Sequence, residues 1–222
     1  MTNVVIPVKE LTKAKGRLRS VLRPDERAGL VLTMLHDLLT SLCHCDLGNI
    51  WLVASDDVVL DLGAQFGATS IRETASQGYN SAVSTGLMAV ADRRPVIVLP
   101  ADLPLIEPSD IERLIDQSNI GFPSVGIVPD RHNQGTNGLF LSTPDLIVPS
   151  FGDGSFSAHK RAANQADATA TIVPLANMAL DIDCADDLSA LAQSGHTGAT
   201  VDFLKSISFA DSNDNQRNRG VA

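Results

Sequence analysis

Aromatic residues are scarce in this 222-residue chain, at 4%, with one Trp and one Tyr. A surface that stacks single-stranded bases needs exposed rings, so that class is disfavoured. Positive charge is also short: 17 Lys and Arg stand against 26 Asp and Glu, a formal net charge of -9. A general nucleic-acid binder displaces counterions with a broad cationic surface, which this composition does not offer. Cysteine is limited to Cys43, Cys45 and Cys184. An odd, small number argues against a disulfide scaffold and for a reduced, cytoplasmic protein. His44 between Cys43 and Cys45 lacks a second ligand pair at zinc spacing, so the stretch reads as a helix end and a turn. No apolar run reaches about 18 residues, so no membrane span is expected. The opening lacks a signal-peptide pattern, because cations follow its apolar run instead of preceding it.

What is present describes a full hydrophobic core: 44% of residues are hydrophobic and 19% charged. That is the balance of a soluble globular protein, and the length suits one large domain. Residues 1–205 are expected to form it. Residues 206–222 contain "DSNDNQRNRG", which buries little, and read as a disordered tail. The few cations are unevenly placed. Lys9, Lys13, Lys15, Arg17, Arg19, Arg23 and Arg27 are seven of the 17, all within the first 27 residues. In an acidic protein such a cluster suits a small anionic ligand.

The first half alternates strand and helix patterns. Val4–Val8, Ile50–Ala54, Ala68–Arg72 and Val96–Leu99 read as strands. Pro24–Leu42 is a helix with Pro24 in its first turn and Asp25 and Glu26 complementing its dipole. Asp57–Phe66, Gly78–Ala91 and Pro108–Gln117 read as further helices. Alternation implies an α/β sandwich with parallel strands and right-handed crossovers. The second half is less regular. Val125–Val128, Leu139–Leu141 and Thr171–Val173 read as strands, Ser157–Gln165 as a helix, and "LDIDCADDL" leads into a last helix.

In such sheets ligands bind outside the carboxyl ends of the strands. Lys9, Lys13, Lys15 and Arg17 follow the first strand directly. Cations in a partly desolvated cleft attract a di- or triphosphate and stabilise leaving pyrophosphate. Arg19, Arg23 and Arg27, four apart in the last two steps, read instead as an exposed helical stripe. Asp102 in "LPADLPL" is a lone carboxylate after an apolar strand, with no helix to cap, and suits Mg2+. Asp181 and Asp183 alternate with Leu180 and Ile182, so their carboxylates share one face of an extended segment. Asp183 is favoured as the second metal ligand beside Asp102, with Asp181 the alternative. Asp186 and Asp187 fall in the first turn of the next helix and read as capping residues. "GTNG" and "FGDGSFSAH" combine hydroxyls with glycine-freed amides, a pattern that can nest an anion. Ser155 and His159 are four apart, but no oxyanion motif supports a nucleophilic pair.

Taken together, "IPVKELTKAKGRL", "QGYNSAV", "LPADLPL", "PDRHNQGTNGLFL", "FGDGSFSAH" and "LDIDCADDL" resemble the 2-phospho-L-lactate guanylyltransferase family over about Val4 to Leu191. The resemblance implies a Rossmann-like nucleotidyltransferase fold of glycosyltransferase-A type: an α/β three-layer sandwich with a mostly parallel mixed sheet. It implies transfer of GMP from GTP to 2-phospho-L-lactate, phosphoenolpyruvate or 3-phospho-D-glycerate, with Mg2+ as cofactor, in coenzyme F-420 biosynthesis. Pro7, Val8, Lys9, Lys15 and Arg17 would line the nucleotide and phosphate site, with Lys15, Arg17 and Asp102 acting in catalysis. Gly78 and Asn80 would lie against guanosine. Thr136, Gly152 and Ser155 would bind the acid's carboxylate. A homodimer stays open. Tyr79 stands where an aliphatic residue is expected, and Cys184-Ala185 where Thr-Pro often follows "DID". The alternatives are a molybdopterin or sugar-phosphate nucleotidyltransferase, which usually has a more glycine-rich opening loop, and a silent nucleotide-binding protein.

Overall fold

β1 (Thr2–Pro7) is buried along its whole length, as a strand covered on both faces must be. It lies at the centre of the fold. The computed structural model describes residues 1–74, 78–90 and 94–209. Gln77 of "QGYNSAV", the end of the third helix at Ala91 and residues 210–222 of the tail expected over 206–222 lie outside those residues. At the start of that tail, Ser206 still closes a helix and Phe209 is buried in the core, because an apolar ring there packs against the layer below. Within them, β1 pairs in parallel with β2 (Leu47–Ala54) on one side and β4 (Val96–Val98) on the other. β3 (Thr69–Arg72) extends the sheet beyond β2 in parallel. β6 (Thr136–Leu141) runs antiparallel to both β4 and β5 (Ser124–Pro129), and β7 (Thr169–Ile172) lies parallel to β5. The seven-stranded order is β3-β2-β1-β4-β6-β5-β7.

Strand side chains alternate between two cores, as the pleat requires. Val4 and Ile6 of β1, with Leu52, Ile97 and Phe140, join a core formed with α1 (Pro24–Leu42), α2 (Asp57–Gln65), α4 (Pro108–Ser118), α6 (Ala185–Gln193) and α7 (Ala199–Ser206). Val5, Val53, Val96, Val98 and Leu139 face α3 (Tyr79–Ala89) and α5 (Ser155–Gln165). The result is the expected three-layer sandwich. Gly86 lets α3 lie close on the sheet: a Cβ there would stand 2.3 Å from Val5 Cγ1. Among the described residues, no helix is long and apolar enough to cross a membrane.

Most strand and helix limits fall within two residues of the sequence reading; β2, which begins at Leu47 and not Ile50, β6 and the last helix differ more. β6 begins at Thr136, three residues before the expected strand. "GTNG" reads as turn chemistry, but Gly138 pairs with Val128 in the ladder and allows close packing, since a Cβ there would be 2.8 Å from Met178 Cε. α5 begins at Ser155, so this serine is part of the helix and not of the loop before it. The last helix is two helices, α6 and α7, with α7 capped from outside: Asp37 of α1 accepts bonds from Ala199 N, Thr200 N and Thr200 Oγ1. One further expectation is corrected. Arg27 is not on an exposed stripe with Arg19 and Arg23; it is 6% exposed and donates to Leu22 O, which closes the turn before α1.

Candidate active site

A cleft of about 710 Å³ opens at the carboxyl edge of the sheet. β1 delivers Pro7, Val8 and Lys9 to it, and the chain then curls through a single 3-10 turn, Gly16–Leu18, that brings in Lys15 and Arg17. β4 runs out through Pro100 and Ala101 to Asp102. β6 is reversed, so it is its first residue, Thr136, that stands at this edge. Gly152 and Ser155 enter at the start of α5, and Asp181 and Asp183 from the extended segment before α6. Gly78 and Asn80 do not line the cleft. The Asn80 amide instead donates to Phe151 O (3.0 Å) and accepts from Phe151 N (2.8 Å), clamping the loop that leads into Gly152.

Lys15 adopts φ +50, a left-handed conformation that costs a non-glycine residue free energy. The turn aims its ammonium inward. Lys15 Nζ donates to Asp102 Oδ2 at 2.5 Å and to Asp183 Oδ1 at 2.9 Å. Burial disfavours its charge, but the two carboxylates outweigh burial and hold its pKa above the ordinary lysine value. Asp183 is pulled the opposite way. Burial alone would raise its pKa, and Lys15, Arg17 and Lys9 lower it below the usual carboxylate value. Arg17, largely exposed, adds a looser ion pair to Asp183 Oδ2 at 3.7 Å. Asp181 has no such cation among the described residues. Burial and the neighbouring Asp102 raise its pKa, while Asn137 donates to it at 3.2 Å and partly opposes them.

Asp102, Asp181 and Asp183 each offer an oxygen within 4.8 Å of the others, so both members of the "DID" pair reach Asp102. A bond from Ile182 N to Asp102 O ties the two segments together. Asp102 Oδ1 is buried and has no hydrogen-bond partner. A buried carboxylate oxygen left unpaired is costly, and a bound cation would satisfy it. With Lys15 and Arg17 alongside, the oxygen set suits a hard divalent ion that also takes phosphate oxygens.

Thr136 and Ser155, which also line the cleft, are 5% and 2% exposed. Thr136 Oγ1 lies 2.9 Å from His159 Nδ1, and His159 Nε2 accepts from Ser150 N at 3.0 Å. Both ring nitrogens are therefore engaged, and neither is paired with Ser155. The amide end of α5, which begins at Ser155, and Gly152 in the loop before it line the same space, and a helix N-terminus favours an anion.

Several residues here escaped sequence reasoning. Asp187 does cap α6, taking Asp183 N (2.9 Å) and Cys184 N (2.7 Å) on Oδ2, but its Oδ1 also holds Arg131 across the cleft wall. Asp130 accepts from His132 N, Gln134 N and Gly135 N, which shapes the loop into β6. Tyr79 lines the cleft with its hydroxyl buried and unpartnered, beneath Lys9 Nζ at 5.7 Å from the ring centre. Burial and Asp102 push its pKa well above the ordinary tyrosine value. The only sequence signal at Tyr79 is its unusual bulk next to Asn80.

The family described as "Guanylyl transferase CofC like" matches residues 2–221. A phosphoenolpyruvate guanylyltransferase from Rubrobacter xylanophilus is 38% identical over 86% of this chain and 93% of its own. A 2-phospho-L-lactate guanylyltransferase from Methanothermobacter thermautotrophicus is 31% identical over 94% of this chain and 92% of its own. Among solved structures, a 4-diphosphocytidyl-2C-methyl-D-erythritol synthase from Anaerococcus prevotii shares the fold, with a TM-score of 0.63 and 12% identity over 88% of this chain and 96% of that one.

Proposed function

The chain belongs to the guanylyl transferase CofC-like family, and we propose that its cleft joins GMP from GTP to phosphoenolpyruvate or 2-phospho-L-lactate, releasing pyrophosphate, as a step of coenzyme F-420 biosynthesis. The observation that carries this reading is that two sets of groups suited to anions line one cleft. Lys15, Arg17 and the carboxylates form one set; Thr136 and the start of α5 form the other.

The acid's phosphate attacks the α-phosphate of GTP. A phosphate monoester has its second pKa at about 6, so it is largely dianionic at neutral pH and needs no general base. The protein's task is to neutralise charge and to align the two phosphates. Lys9, Lys15 and Arg17 would hold the triphosphate, with Pro7 and Val8 against the nucleoside. Gly78 and Asn80, which the sequence resemblance sets against guanosine, stand at the start of α3 on either side of the cleft-lining Tyr79. Asp102 and Asp183, with Asp181 beside them, would hold Mg2+. When bound, the ion would offset the charge that builds on the departing pyrophosphate. Thr136, Gly152 and Ser155 would hold the carboxylate. Phosphoenolpyruvate and 2-phospho-L-lactate both carry the phosphate ester and the carboxylate on the same carbon, so both present the two groups at one spacing.

The test is a panel: GTP and Mg2+ with phosphoenolpyruvate, 2-phospho-L-lactate or 3-phospho-D-glycerate, followed by mass spectrometry of the product, a diphosphate that links guanosine to the acid, and a pyrophosphate assay. Product with at least one of the first two acids is expected. Absence of product with both would overturn the proposal, and thermal stabilisation by GTP alone would then point to a silent nucleotide-binding protein.

A further inference from the structure

His159 is completely buried, yet both of its ring nitrogens have partners, and the two partners differ in kind. Ser150 contributes a backbone N–H, which can only donate. At 3.0 Å it requires a lone pair on Nε2. The ring is then neutral, and its one proton lies on Nδ1. Burial favours the same state, lowering the His159 pKa to about 4. The alternative tautomer, or the protonated ring, would set an Nε2–H against the Ser150 N–H.

Among the described residues, the Nδ1 proton has one acceptor within reach, Thr136 Oγ1 at 2.9 Å. A hydroxyl has one proton to give and two lone pairs to receive. Once Thr136 receives from His159, its own proton is free for a different acceptor. Thr136 lines the cleft. A carboxylate is an acceptor only, so a hydroxyl that has been fixed as a donor is matched to it.

We propose that His159 is a positioning residue for the acid substrate: by donating from Nδ1 it turns the Thr136 hydroxyl into a one-way donor facing the cleft. The proposal rests on the reading of Thr136 as a ligand of the acid's carboxylate. It also accounts for the Ser150–Phe151 corner. The Ser150 N–H fixes the tautomer, and the Phe151 ring packs edge-on against the imidazole at 4.9 Å between centres. Both contacts keep the ring from turning over.

Two measurements test it. The first uses the wild-type chain with 15N-labelled histidine. Long-range proton–nitrogen NMR at neutral pH should show His159 with a protonated, pyrrole-type Nδ1 and a pyridine-type Nε2. The opposite tautomer would overturn the proposal whatever the enzyme's kinetics. The second is a double-mutant cycle read as separate KM values for the acid and for GTP. His159→Gln sets its amide near the Nε2 position and loses the donor to Thr136. His159→Asn sets its amide near Nδ1 and can keep it. His159→Gln and Thr136→Val should each raise the acid's KM by about tenfold, with GTP's KM unchanged. The double variant should be no worse than Thr136→Val, and His159→Asn should recover most of the loss. If Thr136→Val leaves the acid's KM unaltered, Thr136 does not bind the acid and both readings fall. If Thr136→Val raises it while His159→Gln does not, or the two effects multiply, the acid reading stands and the positioning role of His159 is wrong.

Discussion

Lys15 and Arg17 sit two residues apart in one cationic cluster, but their surroundings separate them. The Lys15 side chain is 7% exposed and bonded to two carboxylates, whereas the Arg17 side chain is 73% exposed with one long ion pair. Lys15→Met should therefore reduce both GTP use and stability, because it removes the buried counter-charge and leaves Asp102, Asp181 and Asp183 facing one another with only the loose, exposed Arg17 pair on Asp183. Arg17→Ala should reduce GTP use at nearly unchanged Tm, since an exposed pair contributes little. Thermal melts and GTP kinetics on the two variants check this; equal losses of Tm would mean that Lys15 is not the structural counter-charge. Arg23→Ala is the fitting control, and Arg27 is not, because its buried bond to Leu22 O makes it part of the fold. His159 gives a pH prediction. Its folded pKa is about 4, below the ordinary 6.5. Between those values the unfolded chain binds a proton that the folded chain does not, so stability rises with pH across that window. It is complete above about 6.5 and falls towards pH 4, at most by about 1.4 kcal/mol per pH unit from this group. Urea midpoints from pH 4.5 to 7 should show a steeper slope for the wild type than for His159→Asn. Identical slopes would place the ring's proton uptake elsewhere.

At the scale of elements, the first turn of α6 does more than begin a helix. Asp187 is 4% exposed and joins three things: the cap of α6, the backbone of Asp183 and the guanidinium of Arg131 in the loop before β6. Loss of a helix cap alone costs about 0.5–2 kcal/mol, and an unpaired partner adds to it. Asp187→Ala should lower stability by about 2 kcal/mol or more in urea titrations, and should also weaken metal-dependent turnover by loosening Asp183. A stable variant with ordinary turnover would reduce Asp187 to a plain surface cap. The sequence shows the cap, since an acidic residue three positions into a helix pattern is a local signal. Arg131 lies 56 residues away, and nothing local announces it. β6 illustrates the same limit. The stretch "GTNG" has turn composition, and only pairing with β5 and contact with Met178 make it a strand that begins at Thr136. That beginning is what sets the Thr136 hydroxyl beside His159.

For the whole molecule, the reversal of β6 within an otherwise parallel sheet decides where the chemistry collects. Parallel strands bring their carboxyl ends to one edge, and the reversed strand brings its amino end to the same edge. The layers must also stay together. Val201, Leu204 and Phe209 are buried in the core beside α1, and Gly29 of α1 leaves room for the Phe203 ring, which a Cβ would meet at 2.8 Å. Ending the chain after Gly195 should therefore cost several kcal/mol, given about 1.5–3 kcal/mol for each large apolar side chain returned to water. Circular-dichroism melts and dye binding to exposed apolar surface check it; an unchanged melt would show that α7 is dispensable. By itself the sequence determined the α/β class, the positions of most elements, the basic loop after β1 and the carboxylates at Asp102, Asp181 and Asp183. These are written in short-range periodicity and in charges that stand out against apolar strands. The tertiary structure alone decided which of those charges meet, that Arg27 is buried while Arg17 is not, and that both Asp181 and Asp183 reach Asp102. The physical reason is that burial and pairing are properties of distance in space. Lys15 and Asp183 are 168 residues apart along the chain and 2.9 Å apart in the fold.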